Sequence, residues 1–506
     1  MERITKSDSF IIIKEFINKI EDQQDYFAAI SEMLNHKMDE TVADKEFFRD
    51  LNIFGRIIEV LNYFKDDYKN IYDISKHHNE VILPEVISSI WDQIIQLNDG
   101  NLGGEEDDPE IIKQSRSSLD KYISRAFMND DETPTSKYVI NFDYFGVTVD
   151  DTNEVSIIYQ SRTTGNEGYQ NMNNLVKSIR NISQLRTSTV ITLANTFELL
   201  ISKIFMCQFT LDSFSNGNDI GKKTLTLEEI QNLGSLDAAE DFLLESSVSE
   251  VMRKSASDWI NKLGKINNKI FKLNNEKDKM IEFFQRRNII VHNNGVINSY
   301  YLNNVGEDFT RDLEKGKTID VDKDYISDKI TECRLFGLKI FWLWFEVAFK
   351  GDIKAMASLY ADFSFKLLED KKFDEARHVY NLILDYKHKL DSSLAMKVNI
   401  NLIQTYKWQD KKDKVEEEVN KLDFSMANEE YLMCRCLLLD DFNGALTYMK
   451  KKLRGIESKA EQQELIDAYL RWPLFKNILT NETFIDYLDT MGYNVDVVDD
   501  LKEKED

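Results

Sequence analysis

The 506 residues of this chain exceed what one hydrophobic core usually serves, so we expect about two to four domains, and a hydrophobic content of 42% is enough to build them. The net charge of −25 argues against a protein that coats nucleic acid, because non-specific affinity comes mainly from lysine and arginine side chains that neutralise phosphates. The 4 prolines and 19 glycines are too few for a turn-rich sheet protein, so the composition predicts a mostly α, multi-domain helical fold.

The cysteines and the amino terminus bear on the compartment. None of the cysteines stands in a Cys-x-x-Cys spacing with nearby histidines, which disfavours zinc and fits a reduced cytosol; they are Cys207, Cys333, Cys434 and Cys436. The first residues lack the apolar run and the small-residue cleavage site of a secretory signal. We therefore expect a cytoplasmic protein with no metal ion.

Residues 1–130 are predicted to be an amino-terminal helical region. Apolar residues recur at helical spacing from residue 8 to about residue 98, beginning with Phe10, Ile13, Phe16, Ile17 and Ile20. The segment 98–109 combines glycines, acidic residues and a proline, which is the composition of an exposed loop. It has no G-x-G-x-x-G order and follows no predicted strand, so we expect no nucleotide cofactor there.

A change of period predicts a β-hairpin between Lys137 and Gln160. Apolar and aromatic residues alternate along the chain on both sides of residues 150–153, at Tyr138, Ile140, Phe142, Tyr144, Val155, Ile157 and Tyr159. An isolated hairpin is only marginally stable in water, so we expect this one to pack against a helical domain as a small insertion. With the linker that follows, it occupies the predicted segment 131–175.

A long helix is predicted from about Asn174 to Phe209. One of its faces carries Ala194, Glu198, Ile201 and Phe205, which places a carboxylate on a stripe suited to burial. Glu198 therefore needs a partner. We expect it to orient Arg287 or His292 by a charge-assisted hydrogen bond, and the alternative is an ordinary ion pair elsewhere in a helical bundle.

The segment from Glu250 to Arg287 is basic in an otherwise acidic chain. It contains ten basic and five acidic residues, a difference of +5. A basic segment of this kind is what a focused phosphate-binding cleft requires. An ordinary solvated helix face is the alternative, and the sequence does not separate the two.

An apolar stripe follows on a predicted helix. Phe283 and Ile290 are seven residues apart, as are Phe284 and Val291, so each pair repeats on one side of the helix. We expect this stripe to face a core or a partner.

Three polar residues accompany the stripe: Arg287, Asn288 and His292. Arg287 and Asn288 each lie four residues after a phenylalanine, where a guanidinium and an amide are expensive to bury without a partner. A histidine titrates near neutral pH, whereas an arginine stays charged. Together they suit phosphodiester chemistry.

The order Arg287-Asn288-Ile289-Ile290-Val291-His292 resembles the arginine-asparagine-three-residues-histidine signature of the HEPN family (higher eukaryotes and prokaryotes nucleotide-binding). An earlier helix around residues 193–200 and a middle section around residues 242–244 add to the resemblance, which covers residues 176–305. The family implies a small helical bundle that dimerises, so that two signatures share a cleft, and many members cleave RNA without a metal. Arg286 is an alternative candidate for the arginine of the signature, but only Arg287 is followed directly by the asparagine.

The most apolar segment, from Leu335 to Phe349, is predicted to be a buried helix. It is interrupted by Lys339 and Glu346 and is shorter than the ~20 residues that a bilayer requires. A helix lying on a membrane surface is the alternative, but this segment lacks the lysine-rich polar face of such helices. We expect no membrane contact.

After about Tyr301 the pattern is helical to residue 490, and two segments resemble tetratricopeptide turns: residues 368–376 and 439–445. Phe373 and Phe442 are 69 residues apart, close to two units of the ~34-residue tetratricopeptide period, and residues 407–415 resemble a degraded turn between them. Segment 306–495 is thus predicted to be a repeat-like region that binds a partner protein or simply packs, and residues 496–506 form an acidic tail.

The resemblance implies a metal-independent endoribonuclease that acts as a homodimer or a higher even-numbered oligomer, of the kind found among toxins and phage-defence (abortive infection) effectors. In it His292 is the general acid or base, Arg287 stabilises the phosphate charge, and Asn288 holds the phosphate or the helix. Arg287 and His292 point about 140° apart and lie roughly 7.5 Å apart along the axis, so two copies are expected to complete the site. The alternative is a non-catalytic scaffold that dimerises through this region and binds a partner through its repeats.

Overall fold

The computed structural model describes residues 5–42, 81–82, 112–115, 117, 141–142, 144–149, 155–160, 167–213 and 223–492. The mostly α fold predicted from composition is confirmed. The chain divides into two compact units, one made of residues 1–24 and 189–506 and the other of residues 25–188. The boundaries predicted at residues 130, 175 and 305 do not coincide with this division, and they stay predictions.

Short strands lie in the unit of residues 25–188. Strand β1 (Val81–Ile82) pairs antiparallel with β2 (Asn141–Phe142). Strand β3 (Tyr144–Val149) pairs antiparallel with β4 (Val155–Gln160), in a register that sets Val149 opposite Val155. The hairpin insertion stays a prediction because the residues that would form its turn lie outside the described ones, as does the loop predicted at residues 98–109.

The other regular elements that the structure describes are helices, and the first two of them contribute residues to both units. Up to residue 348 they are α1 (Lys6–Val42), α2 (Glu167–Ser213), α3 (Leu227–Leu233), α4 (Leu236–Met252), α5 (Ala256–Ile266), the 3₁₀ helix Asn268–Lys272, α6 (Asn274–Asn293), α7 (Ser299–Asn304), α8 (Glu307–Thr310) and α9 (Lys323–Ala348). Helix α2 begins earlier and ends later than the predicted bounds.

Antiparallel helix pairs follow α9, and each pair packs on the next. They are formed by α10 (Lys354–Glu369), α11 (Phe373–Leu384), α12 (Ser392–Lys407), α13 (Lys412–Asn420), α14 (Glu429–Leu438) and α15 (Phe442–Arg454). The chain then continues as α16 (Lys459–Arg471) and α17 (Glu482–Thr490), with 3₁₀ helices at Lys387–Lys389 and Pro473–Thr480.

Three turns within these pairs share one geometry. Lys371, Asp410 and Asp440 have φ angles of 60°, 55° and 59°, in the left-handed region. At each turn the next residue donates its N–H to the carbonyl five residues back, as from Asp441 to Cys436 at 2.9 Å. This bond closes the helix and reverses the chain. The turns lie within the three segments where turns were predicted, and the tetratricopeptide resemblance itself stays a prediction.

Phe197 of α2 lies at the centre of the core that positions the signature helix α6. Its ring contacts Phe284 of α6 and Phe336 of α9, each at a centroid distance of 5.9 Å, and Phe16 of α1 at 6.5 Å. Gly337 permits this packing, because a Cβ there would collide with the Phe16 ring. The aromatic contacts hold α2 and α6 side by side.

One described stretch, Asn181–Asp212, is long and apolar enough to cross a membrane by length and composition. The core helix of a globular protein passes the same test, and 56% of this apolar window is buried. The other apolar segment, Leu335–Phe349, lies in α9 up to Ala348, and nearly all its large side chains are buried. Its two charges are paired, Lys339 with Glu276 and Glu346 with Lys269.

A buried carboxylate fixes the rotation of α6. The side chain of Glu282 is 1% exposed and accepts hydrogen bonds from Arg286 Nε at 2.6 Å and from Tyr301 Oη at 3.0 Å. Lys329 Nζ of α9 lies 3.1 Å from the same carboxylate, and Tyr325 donates to it at 3.1 Å. Two cations and two hydroxyls compensate the desolvation of one carboxylate, and each partner that lies outside α6 ties that helix to a neighbour.

Replacing Glu282 by glutamine should therefore destabilise the fold. The change leaves Arg286 without its carboxylate partner and Lys329 with Glu332 alone, and we expect the free energy of unfolding to fall by about 3 kcal/mol. Urea unfolding followed by tryptophan fluorescence measures this loss. The exposed Glu314→Gln variant is the matched control and should unfold like the wild type. A loss below about 1 kcal/mol for Glu282→Gln would contradict the proposed importance of this cluster.

Candidate functional site

The signature residues occupy the last two turns of α6. The helix ends because Asn294 and Gly295 adopt left-handed φ angles of 50° and 77°, and the Gly295 N–H donates to the Ile289 carbonyl at 2.9 Å. His292 lies in the last turn. The segment 287–292 is therefore regular α-helix, as predicted, and its side chains keep helical spacing.

Arg287 of α6 faces α2 and is held there by several groups. Its Nη2 lies 3.5 Å from Glu198 Oε1 and donates to Asn195 Oδ1 at 3.3 Å, while its Nη1 donates to Asn288 Oδ1 at 3.2 Å. The expected pairing of Glu198 with Arg287 appears here as an ion pair. Asn195 was not among the predicted site residues, although its place one turn before Glu198 is a signal that helical spacing offers.

The charges at this pair are only partly compensated. Burial raises the pKa of Glu198, and the nearby guanidinium of Arg287 opposes this rise without cancelling it. The side chains of Arg287 and Glu198 are 21% and 29% exposed, so water still reaches both. Among the described residues, the buried Nε of Arg287 has no hydrogen-bond partner. Arg287 is thus held in place through its two Nη atoms.

His292 lies on the surface. Its side chain is exposed, and it forms no hydrogen bond or ion pair with any residue that the structure describes. Helical spacing keeps it about 140° away from Arg287 around the axis. Asn288 is half-buried beside Arg287. One copy of the helix therefore brings together Arg287, Asn288, Glu198 and Asn195, while His292 points elsewhere.

Arg286 does not belong to this group. Its Nε binds Glu282, its Nη1 donates to the Asp320 carbonyl at 2.7 Å, and its guanidinium lies 4.0 Å from the centre of the Tyr325 ring. Adjacent residues of a helix point about 100° apart, so Arg286 faces α9 and the following loop when Arg287 faces α2. The charge of Arg286 is thus already paired within the fold. The geometry does not support Arg286, in place of Arg287, as the arginine of the signature.

The apolar stripe of α6 differs from the predicted one at its end. Phe283 and Phe284 are buried as expected, whereas Val291 is 44% exposed and Ile290 only half-buried. Ile289 is buried instead, against Ile297, Tyr301, Val305 and Ile319 of the chain that returns after the helix. That return covers one side of the last turn and leaves Val291 on the open side.

The basic segment before the signature carries less free charge than its sequence indicates. Lys269 pairs with Glu346, and Lys279 pairs with Glu332. Lys262 lies 4.9 Å from the centre of the Phe209 ring. Arg287 also pairs with a carboxylate outside the segment, whereas Glu282, the partner of Arg286, is one of the five acidic residues already counted in the difference of +5. At Lys269, Lys279 and Arg287 the positive charge is thus paired within the fold.

Comparison of the chain with protein-family models, curated proteins and solved structures gave no match. The HEPN resemblance therefore stands on the residues of the signature and their setting. Among the described residues, no group of three histidine, cysteine or acidic side chains is placed to hold a metal ion. The four cysteines are free.

Replacing Glu198 by glutamine should leave the fold stable. Burial already disfavours the charged form of Glu198, and glutamine retains an oxygen that can accept from Arg287. We expect the free energy of unfolding to change by less than about 1 kcal/mol in urea titrations. A loss above about 2 kcal/mol would show that the pair locks α2 to α6 and would remove the reason to assign it a role in chemistry.

Proposed function

We propose that this chain is a metal-independent endoribonuclease of HEPN type that acts as a dimer in the cytoplasm. The observation that carries the proposal is the cluster at Arg287: a water-accessible guanidinium, held by Glu198 and Asn195 on the facing helix, next to Asn288 and on the same helix as an exposed histidine. A fixed cation and a free imidazole are the two groups that RNA transesterification uses.

In the proposed reaction the ribose 2′-oxygen attacks the adjacent phosphorus, and the bond from phosphorus to the 5′-oxygen breaks. His292 takes the 2′-hydroxyl proton or gives a proton to the leaving 5′-oxygen, contributing typically ~10²–10⁴-fold. Arg287 stabilises the charge that develops on the phosphate oxygens, and Asn288 donates its amide to the phosphate or holds the helix. The products are a 2′,3′-cyclic phosphate and a 5′-hydroxyl end.

Glu198 and Asn195 serve as positioning residues in this proposal. They aim the guanidinium before RNA arrives, so that less rotamer entropy is lost on binding. The raised pKa of Glu198 shows that its carboxylate is incompletely compensated. A phosphate, with its stronger charge, can then compete for the Nη atoms of Arg287.

The dimer follows from the angle between the two catalytic groups. On one regular helix Arg287 and His292 cannot both face a single phosphate, because they point about 140° apart. Two α6 helices that meet across a twofold axis would bring one residue from each copy to the same phosphate. Val291 of α6 and Leu199 of α2 are exposed at 44% and 38%, one turn beyond Arg287 and Asn195 respectively, and supply apolar surface for such a contact.

A regulated toxin or phage-defence effector is the proposed setting. In that setting the helix pairs α10–α15 capture the protein partner that holds cleavage off or releases it, because stacked helix pairs present an extended surface. In the non-enzymatic alternative, the chain still dimerises and binds a partner protein but does not cleave RNA.

Arg287→Ala and His292→Ala should each lower RNA cleavage by at least ~10²-fold while circular dichroism and melting stay near wild type. The assay is digestion of total RNA by the purified chain in the presence of chelator, with the ends examined for cyclic phosphate. Arg253→Ala and His388→Ala, which change exposed residues of the same types, are matched controls and should cleave normally. Glu198→Gln should reduce cleavage less than Arg287→Ala does.

Cleavage that survives both Ala substitutions would place the activity elsewhere in the chain or in a contaminant. If the wild type cuts no RNA, alone or with RNA from phage-infected cells, the scaffold alternative is the better description. Loss of cleavage in the His388→Ala control would mean that the signature is not specifically required.

Val291→Glu should convert the protein to an inactive monomer. A charge on this exposed position leaves the protomer folded, because surface substitutions usually change stability by about 0.5 kcal/mol or less, but it places two like charges at the proposed twofold contact. Size-exclusion chromatography with light scattering measures the mass, and the RNA assay measures activity. Val347→Glu, at another position that is 44% exposed, is the matched control. A Val291→Glu monomer that still cleaves would show that one copy closes the site.

A further inference from the structure

A groove unrelated to the Arg287 cluster lies between α6, α9 and α11. Its volume is about 540 Å³, within the usual range for small-molecule sites. Along α9 its lining extends from Asp328 to Lys339, and eleven residues of α-helix span about 16 Å. The groove is therefore elongated and suits a narrow, extended ligand.

The floor of the groove is apolar. It is formed by side chains of α9 and α11, namely Leu335, Phe336, Leu338, Val379 and Leu382. Of these, Phe336, Leu338 and Val379 are almost completely buried, so the floor belongs to the packed core and is preformed. Leu335 and Leu382 are half-buried and present the apolar surface that a methylene chain of a ligand can cover.

The lysines of the groove are already paired with carboxylates of the protein. Lys339 Nζ lies 2.7 Å from Glu276, and Lys279 Nζ lies 2.6 Å from Glu332. In the adjoining cavity, Lys269 and Lys389 both bind Glu346. An anionic ligand would have to displace these internal pairs.

Two carboxylates have no such partner. Asp328 and Asp385 line the groove, are exposed, and form no side-chain hydrogen bond or ion pair with the part of the chain that the structure describes. Asp328 lies at one end of the α9 lining. Asp385 also lines the adjoining cavity of about 460 Å³ together with Lys339, and so lies at the other end. The unpaired negative charges thus stand at opposite ends of the apolar floor.

The net charge of the groove is negative. Its four carboxylates (Glu276, Asp328, Glu332, Asp385) and two lysines (Lys279, Lys339) leave a charge of −2. His378 adds no positive charge at neutral pH, because desolvation and the neighbouring Lys339 and Arg377 lower its pKa. Its Nδ1 is 2.8 Å from the Asp374 carbonyl oxygen.

We propose that this groove binds an aliphatic diamine or polyamine, with its methylene chain on the apolar floor and an ammonium group at each of Asp328 and Asp385. The match is one of shape and charge together: an elongated apolar floor, negative charge at both ends, and lysines already neutralised. The inference concerns a separate site and does not depend on RNA cleavage.

Isothermal titration calorimetry of the full chain with spermidine tests the proposal. We expect saturable binding of one spermidine per chain, tighter than that of putrescine, whose two ammonium groups are closer together. Mg²⁺ has the positive charge of spermidine without its methylene chain, and glutarate has a methylene chain without positive charge. Each should bind at least about tenfold more weakly than spermidine. Asp328→Asn and Asp385→Asn should each weaken spermidine binding about threefold to fivefold, and the double variant at least about tenfold.

The control is an Asp312→Asn and Asp370→Asn double variant, which changes the net charge equally at exposed positions outside the groove. It should bind spermidine like the wild type. Equal weakening by the control, or equal affinity for Mg²⁺ and spermidine, would reduce the effect to charge screening and overturn the proposal. Absence of saturable spermidine binding would overturn it as well. Circular dichroism verifies that the variants, all at exposed positions, remain folded.

Discussion

The buried carboxylate of Glu282 determines how the rest of the signature helix is presented. Two cations, Arg286 and Lys329, and two tyrosine hydroxyls converge on this carboxylate, which is 1% exposed, and together they hold α6 at one rotation. Neighbouring residues of a helix are about 100° apart, and once Arg286 faces inward Arg287 must face α2. The structural and the proposed catalytic arginine are thereby separated by a single position in the chain.

This arrangement places a charge where water and substrate can reach it. The ring contact between Phe197 and Phe284, at 5.9 Å, brings α2 beside α6. Glu198 directly follows Phe197, and Arg287 lies three residues after Phe284, so the same contact sets Glu198 against Arg287. The side chains of Arg287 and Glu198 are both partly buried. The guanidinium is therefore held in one orientation, while another anion can still replace the carboxylate as its partner. His292, in the last turn of α6, takes no part in this cluster within one copy.

A chain with a net charge of −25 has to keep its positive charges in defined places. In the described structure many basic side chains form ion pairs with carboxylates of the protein, as at Lys269, Lys279 and Lys339. The result differs between the Arg287 cluster and the groove beside α11. At α2 and α6 a guanidinium stays accessible to an anion. In the groove beside α11 the lysines are paired, whereas Asp328 and Asp385 have no ion-pair partner among the described residues. The pairing of charges thus favours an anion at the Arg287 cluster and a cation in the groove.

Helical periodicity depends on residues only three or four positions apart, and it was enough to predict the mostly α class, the helical setting of residues 287–292 and the buried helix after Leu335. It also indicated Glu198 as a carboxylate that needs a partner. Local spacing did not reveal that Arg286 pairs with Glu282, that Val291 is exposed and that Asn195 contacts Arg287. These outcomes depend on which helix covers which face, and that choice is made by contacts between residues far apart in the chain, such as Phe197 with Phe284, which local spacing does not encode.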